Sequence, residues 1–61
     1  MDSKEYQSAL EELDRIASKV EDPATGIDDI DALIKRADAL IDSCRRYLRT
    51  AREKTELLGR Q

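Results

Sequence analysis

Four groupings in this 61-residue chain hold side chains that could do chemistry. Asp28, Asp29 and Asp31 bring three carboxylates close together, and paired carboxylates bind magnesium. Cys44, the sole cysteine, is a conceivable nucleophile. Tyr6 and Tyr47 could stack on bases, and Arg45, Arg46, Arg49 and Arg52 could grip phosphates. Each grouping also has a plainer explanation. Aspartates just after a loop suit a helix cap and first turn, where they accept from free amides and complement the dipole. A thiol nucleophile needs an activating base, and the chain has no histidine. Cys44 falls on an apolar seam and reads as a small core residue. Both tyrosines lie on or beside apolar rows, so packing is their better use. The four arginines form a loose stripe of the kind that is usually solvated, with a weak nucleic-acid contact as the alternative. There is also no glycine-rich phosphate loop and no convincing acid–base pair. No catalytic residue, metal site or cofactor is therefore expected in this chain.

The elements that must position these residues are helices. From Ile27 to Leu58 an apolar heptad runs almost unbroken. Its members are Ile27, Ile30, Ile34, Ala37, Ile41, Cys44, Leu48, Ala51, Thr55 and Leu58, spaced alternately by three and four. A seam that repeats every ~3.5 residues must be covered by another helix. Residues 3–21 read as a first helix, with Tyr6, Ala9, Leu13, Ile16 and Val20 at the same spacing. Leu10 and Ala17 widen that stripe, and Ser3 is a candidate cap. Pro23 pushes Asp22 out of the helical region, and Gly26 offers the freedom a tight connection needs. A loop is predicted over 22–27. The second helix is predicted over 28–58, with Asp28 as N-cap, Ile27 as hydrophobic staple and Gly59 after its end.

Length and composition narrow the function classes. A chain of 61 residues makes one domain, and a core that small is marginal unless stapled, metal-bound or oligomeric. One cysteine forms no internal disulfide, and without histidine the usual zinc sites are missing. Oligomerisation is the remaining route. Charged residues make up 41% of the chain, which suits exposed helices rather than a sandwich or barrel. The net charge of −3 hides an asymmetry: residues 1–42 carry twelve acids and five bases, residues 43–61 six bases and two acids. A basic helix end complements the macrodipole and can also meet an acidic partner or nucleic acid. The free thiol fits a reducing, cytoplasmic compartment. No stretch approaches the ~20 apolar residues that span a bilayer, and Met1-Asp2-Ser3-Lys4-Glu5 lacks the order of a signal peptide.

Helix lengths turn this into an expectation about partners. At ~1.5 Å per residue the first helix is roughly 28 Å long and the second roughly 46 Å. A short loop folds them into an antiparallel hairpin, in which the first helix covers the second only to about residue 46. Tyr47, Leu48, Ala51, Thr55 and Leu58 are expected to overhang. Leu33, Leu40 and Tyr47 form a second seven-spaced row, so the second helix has an apolar face wide enough for two neighbours. A hairpin offers one. The fold class is thus all-α: a single domain over 1–61, a hairpin with a longer second helix, bundled with helices of other chains.

The order of residues along both helices resembles the small subunit family of exodeoxyribonuclease VII. That family's first helix begins with an aromatic and continues Ala-Leu, Leu, Ile and an aliphatic-Glu ending; here stand Tyr6, Ala9-Leu10, Leu13, Ile16 and Val20-Glu21. A short connection leads to an aliphatic-acid start, here Ile27-Asp28. Leu-Ile, two polar residues, Cys, Leu and Ala then follow as Leu40-Ile41, Cys44, Leu48 and Ala51. The resemblance spans about residues 6–55. Many members carry an aromatic where Ile34 stands, a glycine where Ala37 stands, and an apolar residue where Asp31 stands. The resemblance implies a non-catalytic subunit that wraps long helices of a large nuclease subunit. The resulting complex degrades single-stranded DNA to acid-soluble oligonucleotides.

The expected division of labour is as follows. Tyr6, Leu10, Leu13, Ile16 and Val20 form the hairpin core with Ile30 and Ala37. Leu33, Ile34, Leu40, Ile41, Cys44, Tyr47, Leu48, Ala51, Thr55 and Leu58 meet the partner. In isolation two hairpins are expected to pair into a four-helix bundle. The competing classes are a self-associating coiled-coil adaptor and a small single-stranded nucleic-acid binder using the basic stripe.

Overall fold

The computed structural model describes residues 1–59, and these form two helices: α1 (Ser3–Glu21) and α2 (Ile27–Gly59). They pack as an antiparallel hairpin within a rod 54 Å long and about 16 Å across. The chain is all-helical, with no strand among the described residues.

The start of α1 is fixed by Asp2 rather than Ser3. Asp2 is extended, and its Oδ1 accepts from the Glu5 N–H at 2.8 Å while its carbonyl accepts from the Tyr6 N–H at 3.0 Å. The carboxylate also complements the helix dipole, which a serine hydroxyl does not. At the other end Pro23 disfavours helical backbone for Asp22, which adopts ψ 119°. The freed groups are reused. The Asp22 N–H donates to the Lys19 carbonyl, the Thr25 hydroxyl donates to the same carbonyl, and the Ala24 N–H donates to Asp22 Oδ1. The connection is thus a hydrogen-bonded turn rather than a loose linker.

Helix α2 begins at Ile27, one residue ahead of the sequence expectation. The Ile30 N–H bonds to the Gly26 carbonyl at 3.0 Å, so the ladder starts from Gly26 and Asp28 lies in the first turn. Two further expectations fail here. Ile27 is 83% exposed and staples nothing. Gly26 has no positive φ, so the turn does not require its left-handed freedom. From Ile27 the helix runs 33 residues without a break, because no glycine or proline interrupts it before Gly59.

The helices meet along a narrow seam. Ala9, Ile16, Leu40 and Cys44 are buried, and Tyr6, Leu13, Leu33 and Ala37 pack against them. Small side chains at Ala9, Ala37 and Cys44 let the backbones approach. The Tyr6 and Tyr47 rings stack with centroids 4.8 Å apart, closing the end of the hairpin away from the turn. On one flank Arg36 grips Glu12 through two bonds, Nε to Oε2 at 2.6 Å and Nη2 to Oε1 at 3.0 Å. Such a planar fork fixes register as well as adding attraction.

Candidate functional site

Two helices in contact leave two flanks, and here the flanks differ in kind. One flank is polar: Glu12 and Arg36 span it, with Ser8 and Glu5 nearby. The hydrogen bond from Arg36 holds the Glu12 carboxyl below the ordinary carboxylate range, and the same bond raises Arg36. On the other flank Leu13, Ala17 and Val20 of α1 and Ile34 and Ala37 of α2 line a shallow open groove. Leu10 lies seven residues before Ala17, and Ile41 and Leu48 lie seven and fourteen beyond Ile34. Seven residues are nearly two turns, so all stand on this same flank. Ile34, Ile41 and Leu48 are 48%, 38% and 49% exposed. More large apolar side chains lie on this surface than in the core, and such a patch marks an interaction site.

The structure redistributes the residues that the sequence assigned to core and partner. Leu40 and Cys44 are buried inside the hairpin, Leu33 packs against them, and Tyr47 stacks on Tyr6. All four were expected at the partner surface. Leu10 and Val20 were expected in the core and are exposed. Tyr6, Leu13, Ile16 and Ala37 lie in the hairpin seam, and Ile30 is half-buried. Ile34, Ile41, Leu48, Ala51, Thr55 and Leu58 are exposed. The cause is a rotation of α2 by one position: the row Leu33, Leu40, Tyr47 turns towards α1, and Ile34, Ile41, Leu48 turns away. Coverage also reaches further than residue 46, since Met1 and Glu5 lie beside Thr50, Ala51 and Lys54.

The remaining candidates resolve as follows. Asp28 and Asp29 occupy the first turn of α2, and Asp31 pairs with Lys35 at 3.2 Å. Among the described residues no group of three or more acids, cysteines or histidines is placed to hold a metal ion. Arg46 pairs with Asp42 and Arg52 with Glu56, each one turn away on α2. Arg45 and Arg49 are exposed. The Arg36–Glu12 clamp escaped the sequence reading, although its signal was there: opposite charges beside the apolar rows of the two helices. Leu57, 63% exposed, was also missed because it lies off both rows.

A helical hairpin whose one flank is clamped by charge and whose other flank is exposed hydrocarbon defines a class: a small all-α module with an uncovered apolar face. Comparison with known families gives the particular one. The model of the family described as Exonuclease VII small subunit matches residues 6–57, and the chain belongs to that family. No curated protein and no solved structure gives a significant match. Membership makes the chain a subunit of a nuclease and implies a large-subunit partner. Among the described residues no helix is long and apolar enough to cross a membrane.

Proposed function

We propose that this chain is a non-catalytic, assembly-forming subunit that docks on helices of the large exonuclease VII subunit through its bare apolar flank. The large subunit supplies the phosphodiester chemistry, and the complex degrades single-stranded DNA to acid-soluble oligonucleotides in the cytoplasm. Further copies of this chain join the same assembly. The observation that carries the reading is the one-sidedness of the hairpin. A helix laid in the groove beside Ala17, Val20 and Ile34 covers apolar side chains that water otherwise meets. The polar flank, bridged by Arg36 and Glu12, remains solvated. The basic stripe has no role in this reading.

The test is co-expression of the tagged chain with the large subunit, followed by assay of acid-soluble fragments released from single-stranded DNA. An Ala17→Asp/Ile34→Asp variant places two unpaired carboxylates where the foreign helix must lie. It is expected to keep its helical circular dichroism and to lose both the large subunit and the co-purifying activity. Ser8→Asp, on the opposite flank, is expected to retain both. A folded double-aspartate variant that still recovers the active complex would sink the proposal.

A further inference from the structure

Next to the exposed apolar row of α2 runs a row of charges. Ile27, Ile34, Ile41 and Leu48 are each followed four residues later by Asp31, Asp38, Arg45 and Arg52. Both rows repeat at seven, so each follows its own line along the helix. The charged row is the outer rim, since Ala37 and Cys44 on the other side of the apolar row face α1. Its signs run acid, acid, base, base. That order complements itself in one orientation. With a second α2 antiparallel across a two-fold axis at the level of Ile41 and Asp42, Asp38 faces Arg45 of the second copy and Asp31 faces Arg52. The apolar row then meets itself one residue out of step with the charges, an offset of ~1.5 Å along the axis, with Ile34 beside Leu48, Ile27 beside Thr55 and Ile41 beside its own copy. A parallel two-fold pairing places the two charged rows on opposite sides of the seam, each across from the uncharged row Ile30, Ala37, Cys44, Ala51, so no such complementarity arises.

Three further observations favour this occupant. The axis lies close to Ser43, the middle residue of α2, so the two helices overlap over nearly their whole length. The overlap covers Ile27, which is 83% exposed, and the stretch of α2 that runs past the start of α1. The charges are also available. Asp38 and Arg45 make no ion pair among the described residues. Asp31 and Arg52 hold only exposed partners one turn away, which are exchanged at little cost.

We infer that the α2 edge of the apolar flank binds a second copy of this chain, antiparallel and two-fold symmetric, with Ile41 at the axis and the Asp31, Asp38, Arg45, Arg52 row as the register code. This deepens the self-association in the proposed function and rests on it. The α1 side of the groove, with Leu10, Ala17 and Val20, stays open to the large subunit, and Ile34 stands at the boundary of the two contacts. A closed two-fold pair is the commonest symmetric assembly, and its interface uses one patch twice. Opposite charges at the rim select orientation more than they add affinity.

The test uses the full chain without the large subunit, so its failure leaves the subunit reading standing. In a Cys44→Ala background, Ile34→Cys and Leu48→Cys chains are oxidised separately and as a mixture. Disulfides form only where Cβ atoms come within about 4.5 Å. The expected product is the mixed Ile34→Cys/Leu48→Cys dimer, with little from either chain alone. Cross-linking of each variant with itself would mean parallel pairing and overturn the inference. So would a dimer that yields no cross-link, or a chain that stays monomeric. Charge reversal gives a second readout that leaves the core and the apolar row untouched. By sedimentation, Asp38→Arg or Arg45→Asp is expected to weaken the dimer about tenfold, since each turns two attractive contacts into repulsive ones. The double reversal is expected to restore it to within about threefold. A double variant no tighter than the singles would reject the pairing.

Discussion

Leu40 and Ile41 are neighbours in sequence and opposite in role, and that contrast can be measured. Leu40 is 8% exposed, packed between the helices, whereas Ile41 is 38% exposed on the bare flank. Truncating a buried leucine to alanine costs about 2–5 kcal/mol through lost transfer energy and the cavity left behind. A two-helix core can collapse around the gap, which places Leu40→Ala near the lower end, about 2 kcal/mol. Alanine's better helix propensity returns a few tenths of that. A chain of 61 residues has a total stability of about 3–9 kcal/mol. Leu40→Ala therefore removes a large share of what holds the hairpin together. Ile41→Ala removes carbons that already meet water, so its cost to the hairpin is below about 1 kcal/mol. In the proposed assembly the exposed part of Ile41 is covered, so its loss costs about 1–2 kcal/mol of association. The assay is urea unfolding followed by the helical signal at 222 nm, run at several concentrations, beside co-purification with the large subunit. At high dilution Leu40→Ala is expected to shift the midpoint strongly and Ile41→Ala barely. At high concentration Ile41→Ala is expected to lack the concentration-dependent stabilisation of the parent. Equal destabilisation by both at high dilution, or full concentration-dependent stabilisation of Ile41→Ala, would refute the assignment of faces.

Two more predictions concern the elements that hold the hairpin in register. Asp2→Ala removes the acceptor of the Glu5 N–H and is expected to cost ~1 kcal/mol of helix stability, while Asp2→Asn keeps most of it; urea midpoints that do not separate the two would show the cap is unused. The Arg36 bond lowers the Glu12 carboxyl, so its stabilisation is present at neutral pH, above the unfolded value, and is lost as pH falls through the lowered folded value. The melting temperature of the parent should therefore exceed that of Glu12→Gln at pH 7 and converge with it below the ordinary glutamate range; a gap that persists there would mean the clamp does not titrate.

The sequence made the two helices and their antiparallel packing legible, because the apolar spacing and the Pro23 stop both act locally. It did not make legible which apolar row faces inward. The rows Leu33, Leu40, Tyr47 and Ile34, Ile41, Leu48 have the same period, similar volume and a one-residue offset, about 100° around the helix. Both adjoin the shared row Ile30, Ala37, Cys44, Ala51, so an alternating three-four spacing can be drawn with either. What decides is the partner helix. Tyr6 offers a ring for Tyr47, and Glu12 offers a fork for Arg36, which lies on the far side of the Leu33 row from Ile34. Those are pairings across 24 or more residues, and periodicity within one helix carries no record of them. The same blindness hid Asp2 as the cap: Asp2 and Ser3 are both good caps by residue type, and only the Glu5 amide distinguishes them.

The stacked tyrosines have a consequence for how the molecule can be watched. Tyr6 and Tyr47 are the only aromatic residues of the chain, one on each helix, at the end remote from the turn. A hairpin that zips from its turn brings this end together last, after α1 and α2 have aligned. Helix formation takes about 0.1–1 μs, and a closing of the far end slower than that would be seen as a later event. The near-ultraviolet signal of the chain is then a native clock for that last step. Far-ultraviolet dichroism reports the backbone winding, the coupled rings report the clasp, and a lag between the two times the closing of the hairpin without any added label.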